Sequence, residues 1–286
     1  MFPAARGDVV ARFVNLPDGL RVRVLACGPA DGPPLLFVHG WSCSIYVFRK
    51  NYAAAVRAGF RVYAPDLKGH GLSDKPLAAV EYTAEAMAAH VREIMDALGL
   101  RAATLVGHSM GGAIAARVAL DAPERVERLV LLSAVGFGEV NMLRLVKLLT
   151  PRLLAPLLPF VIPRALVATG LRLAYGELGR PEPRDVDEYW APTQFRAFPL
   201  AMRELLHAFD WEAMDERALA RLRVPTLVMF GTRDRFVSPA NAQRLAAVIP
   251  GGRCEVIAGA GHVIPEETPE RVNGAVLRFL TASAAA

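Results

Sequence analysis

Cysteine is scarce. Cys27, Cys43 and Cys254 are the only three in 286 residues, an odd number with no Cys-x-x-Cys pair among them. That spacing offers neither a disulfide framework nor a zinc site, and it fits a reducing compartment. Lysine is nearly as rare: only four of the 33 cations are lysine, and the arginines are scattered instead of clustered, although the net charge is +5. Scattered arginine is not the footprint of a nucleic-acid surface, so no nucleic-acid partner is expected. No apolar run is long enough to span a bilayer; the greasiest stretch, Leu153 to Ile162, is short and broken by Pro156 and Pro159. The opening residues carry no apolar h-region, so a secretory leader is not expected and the expected location is cytoplasmic. Internal repeats and low-complexity tracts are missing too, apart from the Ala284-Ala285-Ala286 tail.

What is present is apolar content of 53%, enough for a sizeable core. At this length one large domain with an insertion fits better than two full domains. Residues 9–16 and 20–27 flank Pro17-Asp18-Gly19 and read as a hairpin at a sheet edge. Short apolar runs then recur at 35–38, 61–66, 105–106, 128–133, 226–230 and 253–258. Helical patterns lie between them at 48–58, 83–98 (Thr83 its cap), 113–120 and 240–248, with a last one at 269–280. Such alternation predicts an α/β fold with a mostly parallel sheet flanked by helices. From 137 to 215 it stops, and only proline-punctuated helical pieces remain, at 141–149, 152–158, 164–175, 185–196 and 199–208. The expected organisation is a core of 1–136 plus 216–286, with an all-helical cap of 137–215 over the carboxyl ends of the strands.

The chemistry concentrates in Leu105-Val106-Gly107-His108-Ser109-Met110-Gly111-Gly112, an apolar strand running into Gly-x-Ser-x-Gly and then a helix. A serine on so tight a turn projects its hydroxyl off the sheet edge, and glycines beside it avoid backbone collisions. The amide of Met110 opens the helix without an intrahelical partner, free to face negative charge developing next to Ser109. Two more loops leave strand ends, where open α/β sheets place their ligands: one carries Asp234, the other His262. His262 could remove the serine proton while Asp234 holds the imidazole tautomer. Asp66, at another strand end, reads as a loop-bracing group and stays open as the alternative acid. His39 and His70 read as structural groups, His90 and His207 as surface or satisfied core residues, and Cys43 as a small apolar filler.

Taken together, His39-Gly40-Trp41, the Gly107 to Gly112 stretch, the loop Asp66 to Asp74, Gly231-Thr232-Arg233-Asp234 and Gly261-His262 resemble the α/β-hydrolase superfamily over nearly the whole chain. The resemblance implies an eight-stranded sheet with a helical cap inserted after the sixth strand. It also implies Ser109 as nucleophile, Asp234 as acid, His262 as base, the amides of Trp41 and Met110 as oxyanion hole, and no cofactor or metal. The His-Gly-Trp and Gly-His-Ser-Met-Gly-Gly pair is most similar to cofactor-free esterases and perhydrolases. Serine at the elbow turns the reading away from haloalkane dehalogenases and epoxide hydrolases, which attack with a carboxylate there.

The expected activity is cleavage of carboxylic esters of small to medium hydrophobic substrates through an acyl-enzyme. Trp41, His108, Leu145, Phe236 and Val263 are the candidate substrate contacts. Carbon–carbon cleavage of the meta-cleavage-product type stays open, although those enzymes usually carry Asn where His108 stands. Lactone hydrolysis, perhydrolysis and a non-catalytic ligand receptor on the same fold stay open as well. The aliphatic residues between Met142 and Ile162 admit three uses: packing, a substrate tunnel, or peripheral membrane contact through Arg144, Lys147, Arg152 and Arg164. A monomer or a homodimer fits.

Overall fold

Gly19 adopts φ +85° and the Asp18 carboxylate accepts the Leu20 amide at 2.9 Å, closing the turn that Pro17-Asp18-Gly19 predicts. In this computed structural model, which describes residues 1–3, 9–137, 139–141, 143–160, 162–212 and 214–282, that turn joins β1 (Val9–Asn15) to β2 (Arg21–Cys27). Six more strands follow: β3 (Pro34–Val38), β4 (Arg61–Pro65), β5 (Ala103–His108), β6 (Val126–Leu132), β7 (Thr226–Gly231) and β8 (Arg253–Ile257). They form one eight-stranded sheet in the order β1-β2-β4-β3-β5-β6-β7-β8, antiparallel at β1/β2 and β2/β4 and parallel elsewhere. The expected mostly parallel, eight-stranded sheet is the one observed.

Helices cover both faces. They are α1 (Tyr52–Arg57), α2 (Ala84–Ala97), α3 (Met110–Asp121), α4 (Leu143–Leu149), α5 (Arg164–Ala174), α6 (Pro183–Trp190), α7 (Ala197–Ala208), α8 (Glu216–Leu219), α9 (Ala242–Val248), α10 (Ile264–Glu267) and α11 (Pro269–Thr281). Because side chains alternate along a strand, Leu36 and Val38 of β3 enter one core with Met87, Val91 and Ile94 of α2. Leu35 and Phe37 enter the other with Tyr52 of α1 and Val276 of α11. Each such side chain, fully buried, contributes about 1.5–3 kcal/mol.

Proline decides where the helices depart from the expected ranges. Residues 152–158 are part of a 3₁₀ stretch, Arg152–Phe160, since Pro156 and Pro159 lack the amides an α-helix would use. The expected helix at 185–196 is two: α6, opened by a Glu182/Asp185 capping box, and a 3₁₀ turn Ala191–Gln194 with Pro192 in its first turn. Residues 48–58 likewise split into a 3₁₀ turn, Ile45–Phe48, and the short α1. Met142, Val161 and the Ala284-Ala285-Ala286 tail lie outside the described residues. No described helix is long and apolar enough to cross a membrane.

The loop from Asp66 to Asp74 is tied to the sheet by buried polar groups. Asp66 is fully buried and accepts from Arg23 Nε at 2.7 Å, from the Ile45 amide at 3.0 Å and from the Leu72 amide at 2.9 Å. His39 Nε2 accepts the Leu67 amide at 3.0 Å and His90 Nε2 accepts the Lys68 amide at 2.9 Å. Both imidazoles must therefore be neutral, and burial lowers the affinity of each for a proton, that of His90 from the ordinary 6.5 to about 3. A base whose folded pKa is depressed contributes stability that is complete above the unfolded value and is lost as pH falls toward the folded one. Stability should thus decline below pH 6.5, with His90 contributing about 1.4 kcal/mol per pH unit. Urea unfolding between about pH 7 and 4.5 reads this slope. His90→Gln, which keeps an acceptor for the Lys68 amide, should make it shallower by one histidine's worth; an unchanged slope would remove His90 from the account.

Candidate active site

Ser109 sits between β5 and α3 at φ +54°, ψ −123°, a left-handed conformation rare for a side chain with a Cβ. Close backbone contact holds it there. A Cβ on Gly111 would overlap the carbonyl oxygen of Val38, and one on Gly40 would come within 2.9 Å of the Ser109 Cβ. β3 and β5 are paired neighbours, with Val38 opposite Gly107, so the His39-Gly40-Trp41 turn lies alongside Ser109. His39 Nδ1 donates to the Gly40 carbonyl at 2.9 Å, and the Cys43 amide donates to the same oxygen at 3.2 Å. In a trans peptide the Trp41 N–H then points the opposite way.

Ser109 Oγ lies 2.9 Å from His262 Nε2, and His262 Nδ1 lies 2.8 Å from Asp234 Oδ2. The other Asp234 oxygen accepts the amides of Phe236 and Val237, each at 2.9 Å, so the carboxylate cannot swing away. With the Nδ1 proton directed at Asp234, Nε2 is left as acceptor for the serine hydroxyl. Asp66, the other candidate acid, is committed to Arg23 and its own loop. His108 Nε2 donates to the His262 carbonyl at 3.0 Å, and burial, with His262 beside it, lowers its pKa to about 3. It is a neutral strut under the histidine loop.

This hydrogen-bonded chain opens on a cavity of about 290 Å³. Trp41, His108, Phe236 and Val263, four of the candidate substrate contacts, line it. Leu145 does not: it is 48% exposed on the outer side of α4, while Leu143 and Val146 turn inward. A helix reading Leu-Arg-Leu-Val-Lys-Leu-Leu has aliphatic residues on several faces, so spacing alone could not orient it. Val167, Gly170, Leu171 and Ala174 of α5 also line the cavity. Their i, i+3, i+4, i+7 spacing is the signal by which they could have been found. Trp211 gave no local signal; its ring meets Trp41 edge-on at 6.3 Å, and the Trp41 indole donates to the Met202 carbonyl at 3.1 Å. Cys43 reaches the cavity with its thiol pushed up to about 12, by burial and then by nearby Glu266, which leaves it unreactive.

The two glutamates after His262 were not singled out in the sequence, yet they join the helices between β6 and β7 to the histidine loop. Glu267 accepts the Gly261 amide at 2.7 Å and the amides of Gly176 and Leu178 at 3.0 Å. Glu266, fully buried, pairs with Arg49 at 2.9 Å and accepts the hydroxyls of Tyr175 at 2.8 Å and Tyr189 at 2.6 Å. Arg49 also pairs with Asp185 of α6 at 2.7 Å, to which Tyr46 donates at 2.7 Å. One arginine thus bridges two buried carboxylates from different parts of the chain.

A serine in a strained strand-to-helix turn, hydrogen bonded through histidine to aspartate at the carboxyl ends of a mixed sheet, is the site architecture of the hydrolase class. The chain belongs to the alpha/beta hydrolase fold family, which residues 33–269 match. It is 33% identical over 264 residues to the uncharacterised protein Rv2715 of Mycobacterium tuberculosis, covering 87% of this chain and 76% of that one. It is 29% identical over 277 residues to carboxylesterase YbfK of Bacillus subtilis, covering 91% of this chain and 84% of that one. The crystal structure of the latter superimposes with a TM-score of 0.77 at 26% identity, over 96% of this chain and 92% of that one.

Removing the bridging cation should be costly. Arg49→Met leaves two buried carboxylates without a counter-charge, a loss of about 3–5 kcal/mol at neutral pH. Burial already raises the pKa of Glu266, and without Arg49 it rises further. A carboxyl with a raised folded pKa is least harmful when protonated, so the deficit relative to wild type should shrink as pH falls. Paired urea midpoints at about pH 8 and 5.5 check this; a deficit that grows toward acid would refute it.

Proposed function

We propose that the protein hydrolyses carboxylic esters bearing a hydrophobic acyl or alcohol part, through an acyl-enzyme on Ser109. The observation that carries this reading is the unbroken Ser109–His262–Asp234 chain at the edge of an apolar cavity. As Ser109 Oγ attacks the ester carbonyl, His262 Nε2 takes its proton, and Asp234 steadies the imidazolium from 2.8 Å. The carbonyl oxygen gains charge and is received by the amides of Trp41 and Met110. The tetrahedral adduct expels the alcohol, which leaves with the proton from His262. Water then repeats the sequence on the acyl-enzyme and frees the acid. No step calls on a metal or cofactor. Residues 137–215 serve as a lid whose inner side, with Trp41 and Phe236, receives the hydrophobic part. The likeness to carboxylesterase YbfK supports the ester class.

The direct test is labelling by a fluorophosphonate followed by peptide mass spectrometry. The adduct should sit on Ser109 and be lost in Ser109→Ala. Ser109→Ala, His262→Ala and Asp234→Asn should each lower p-nitrophenyl ester turnover by about three orders of magnitude or more, because the three groups act as one unit. A folded protein that takes no label at Ser109 would favour a ligand receptor instead.

Gly170 offers a second handle, since it lines the cavity and a Cβ there would meet nothing within 4 Å. In wild type, kcat/KM should climb roughly fourfold per methylene of acyl chain, from about 0.8 kcal/mol per buried CH₂, until the cavity is filled. Gly170→Leu should bring that break to shorter chains while acetyl ester turnover stays within about threefold. An unchanged chain-length profile would show that the acyl group lies elsewhere.

A further inference from the structure

The outer side of the cavity wall does not look like ordinary surface. Leu145, Leu148, Leu149, Leu153, Leu154 and Leu157, on α4 and the 3₁₀ stretch after it, are all exposed, from 43% at Leu154 to 88% at Leu153. Single exposed leucines need no explanation, but six within thirteen consecutive residues form a concentration that calls for a partner. The charge carried by this stretch of chain has one sign. From Val140 to Gly176 the sequence contains no Asp or Glu, while Arg144, Lys147, Arg152, Arg164 and Arg172 fall within it. Arg164 is taken by Asp187 at 2.6 Å. Arg144 and Arg152 are exposed, and among the described residues no ion pair uses them or Lys147.

We propose that this face docks on an anionic lipid surface, its leucines entering the acyl boundary and Arg144, Lys147 and Arg152 meeting the headgroup phosphates. Leucines with flanking cations and no acid suit that boundary on both counts, since the cationic side chains extend to the phosphates while their stems stay apolar. A second copy of the chain fits less well. An isologous contact would set this acid-free, cationic segment against itself in a protein of net charge +5. The location adds a reason. Leu143 and Val146 on the inner side of the same helix line the catalytic cavity. A bilayer bound outside would therefore lie one helix away from the space where substrate sits. The docking stands without the hydrolase reading; only its corollary, that the hydrophobic esters are drawn from the membrane, rests on it.

Co-sedimentation of full-length Ser109→Ala protein with vesicles tests the docking apart from catalysis. Vesicles of phosphatidylcholine with about 30 mol% phosphatidylglycerol should bind roughly tenfold more tightly than phosphatidylcholine alone, and high salt should weaken the difference. Leu148→Ser with Leu153→Ser should lower binding about tenfold on both, while Arg144→Gln, Lys147→Gln and Arg152→Gln together should abolish only the anionic preference. In an otherwise wild-type background the leucine variant should keep its unfolding temperature and turn over a soluble acetyl ester within about twofold, since neither residue lines the cavity. Three results would overturn the proposal: protein left in the supernatant with both vesicles, equal binding to both, or a dimer dissolved by the leucine variant without vesicle binding. Ester turnover without vesicle binding would sink this inference alone; vesicle binding without ester turnover would sink the functional reading alone.

Discussion

Ser109 can hold its left-handed turn only because the backbone of β3 presses against the start of α3 from the neighbouring strand. Gly111 fits beneath the Val38 carbonyl, and Gly40 beside the serine, with no room for a Cβ at either place. That contact stores strain of the order of 1–3 kcal/mol at the serine, which the flanking strands hold in place. It also brings the Trp41 turn and the Met110 amide to the same spot. The position of Ser109 and the direction of two backbone donors follow from one close approach of main chain to main chain.

The histidine end of the site depends on different forces. His262 is not on a strand or helix, so its orientation comes from polar contacts: Asp234 and Ser109 on the ring, His108 on its carbonyl, Ala174 accepting from its amide at 2.7 Å. Glu267 and Glu266 extend this scaffold into the helices that wall the cavity. Buried carboxylates are costly, and here each is compensated: Glu267 by three backbone amides, Glu266 by Arg49 and two tyrosine hydroxyls. The cost is offset only while the helices between β6 and β7 stay docked. The geometry of the Ser109–His262–Asp234 chain and the shape of the cavity are therefore coupled through the same few side chains.

The cavity wall itself is a single layer. α4 presents Leu143 and Val146 to the interior and Leu148 and Leu149 to the outside, so Arg144 and Lys147 leave part of its outer side apolar and unshielded. A short helix of this kind gains little from intrinsic propensity and relies on what covers it. Its stability and its accessibility to substrate are for that reason joined.

Local features were legible in the sequence, because they are settled by sterics and hydrogen bonding within a few residues. The Gly19 turn, the Thr83 cap, the strand-to-helix turn at Ser109 and the strands that lead into the Asp234 and His262 loops are of this kind. So was the α/β alternation, which period and strand length encode. What the tertiary structure decided is which side chains meet across long separations. Leu145 turned outward where a lining role was expected, because α4 carries aliphatic residues on several faces and spacing alone does not set its rotation. Trp211 and Tyr189 reach the cavity, and Arg49 finds Glu266 across 217 positions, with nothing in their neighbourhoods to announce it. Backbone geometry is a short-range property of the chain, whereas the walls of a cavity and the partners of a buried charge are chosen by packing, which no local window contains.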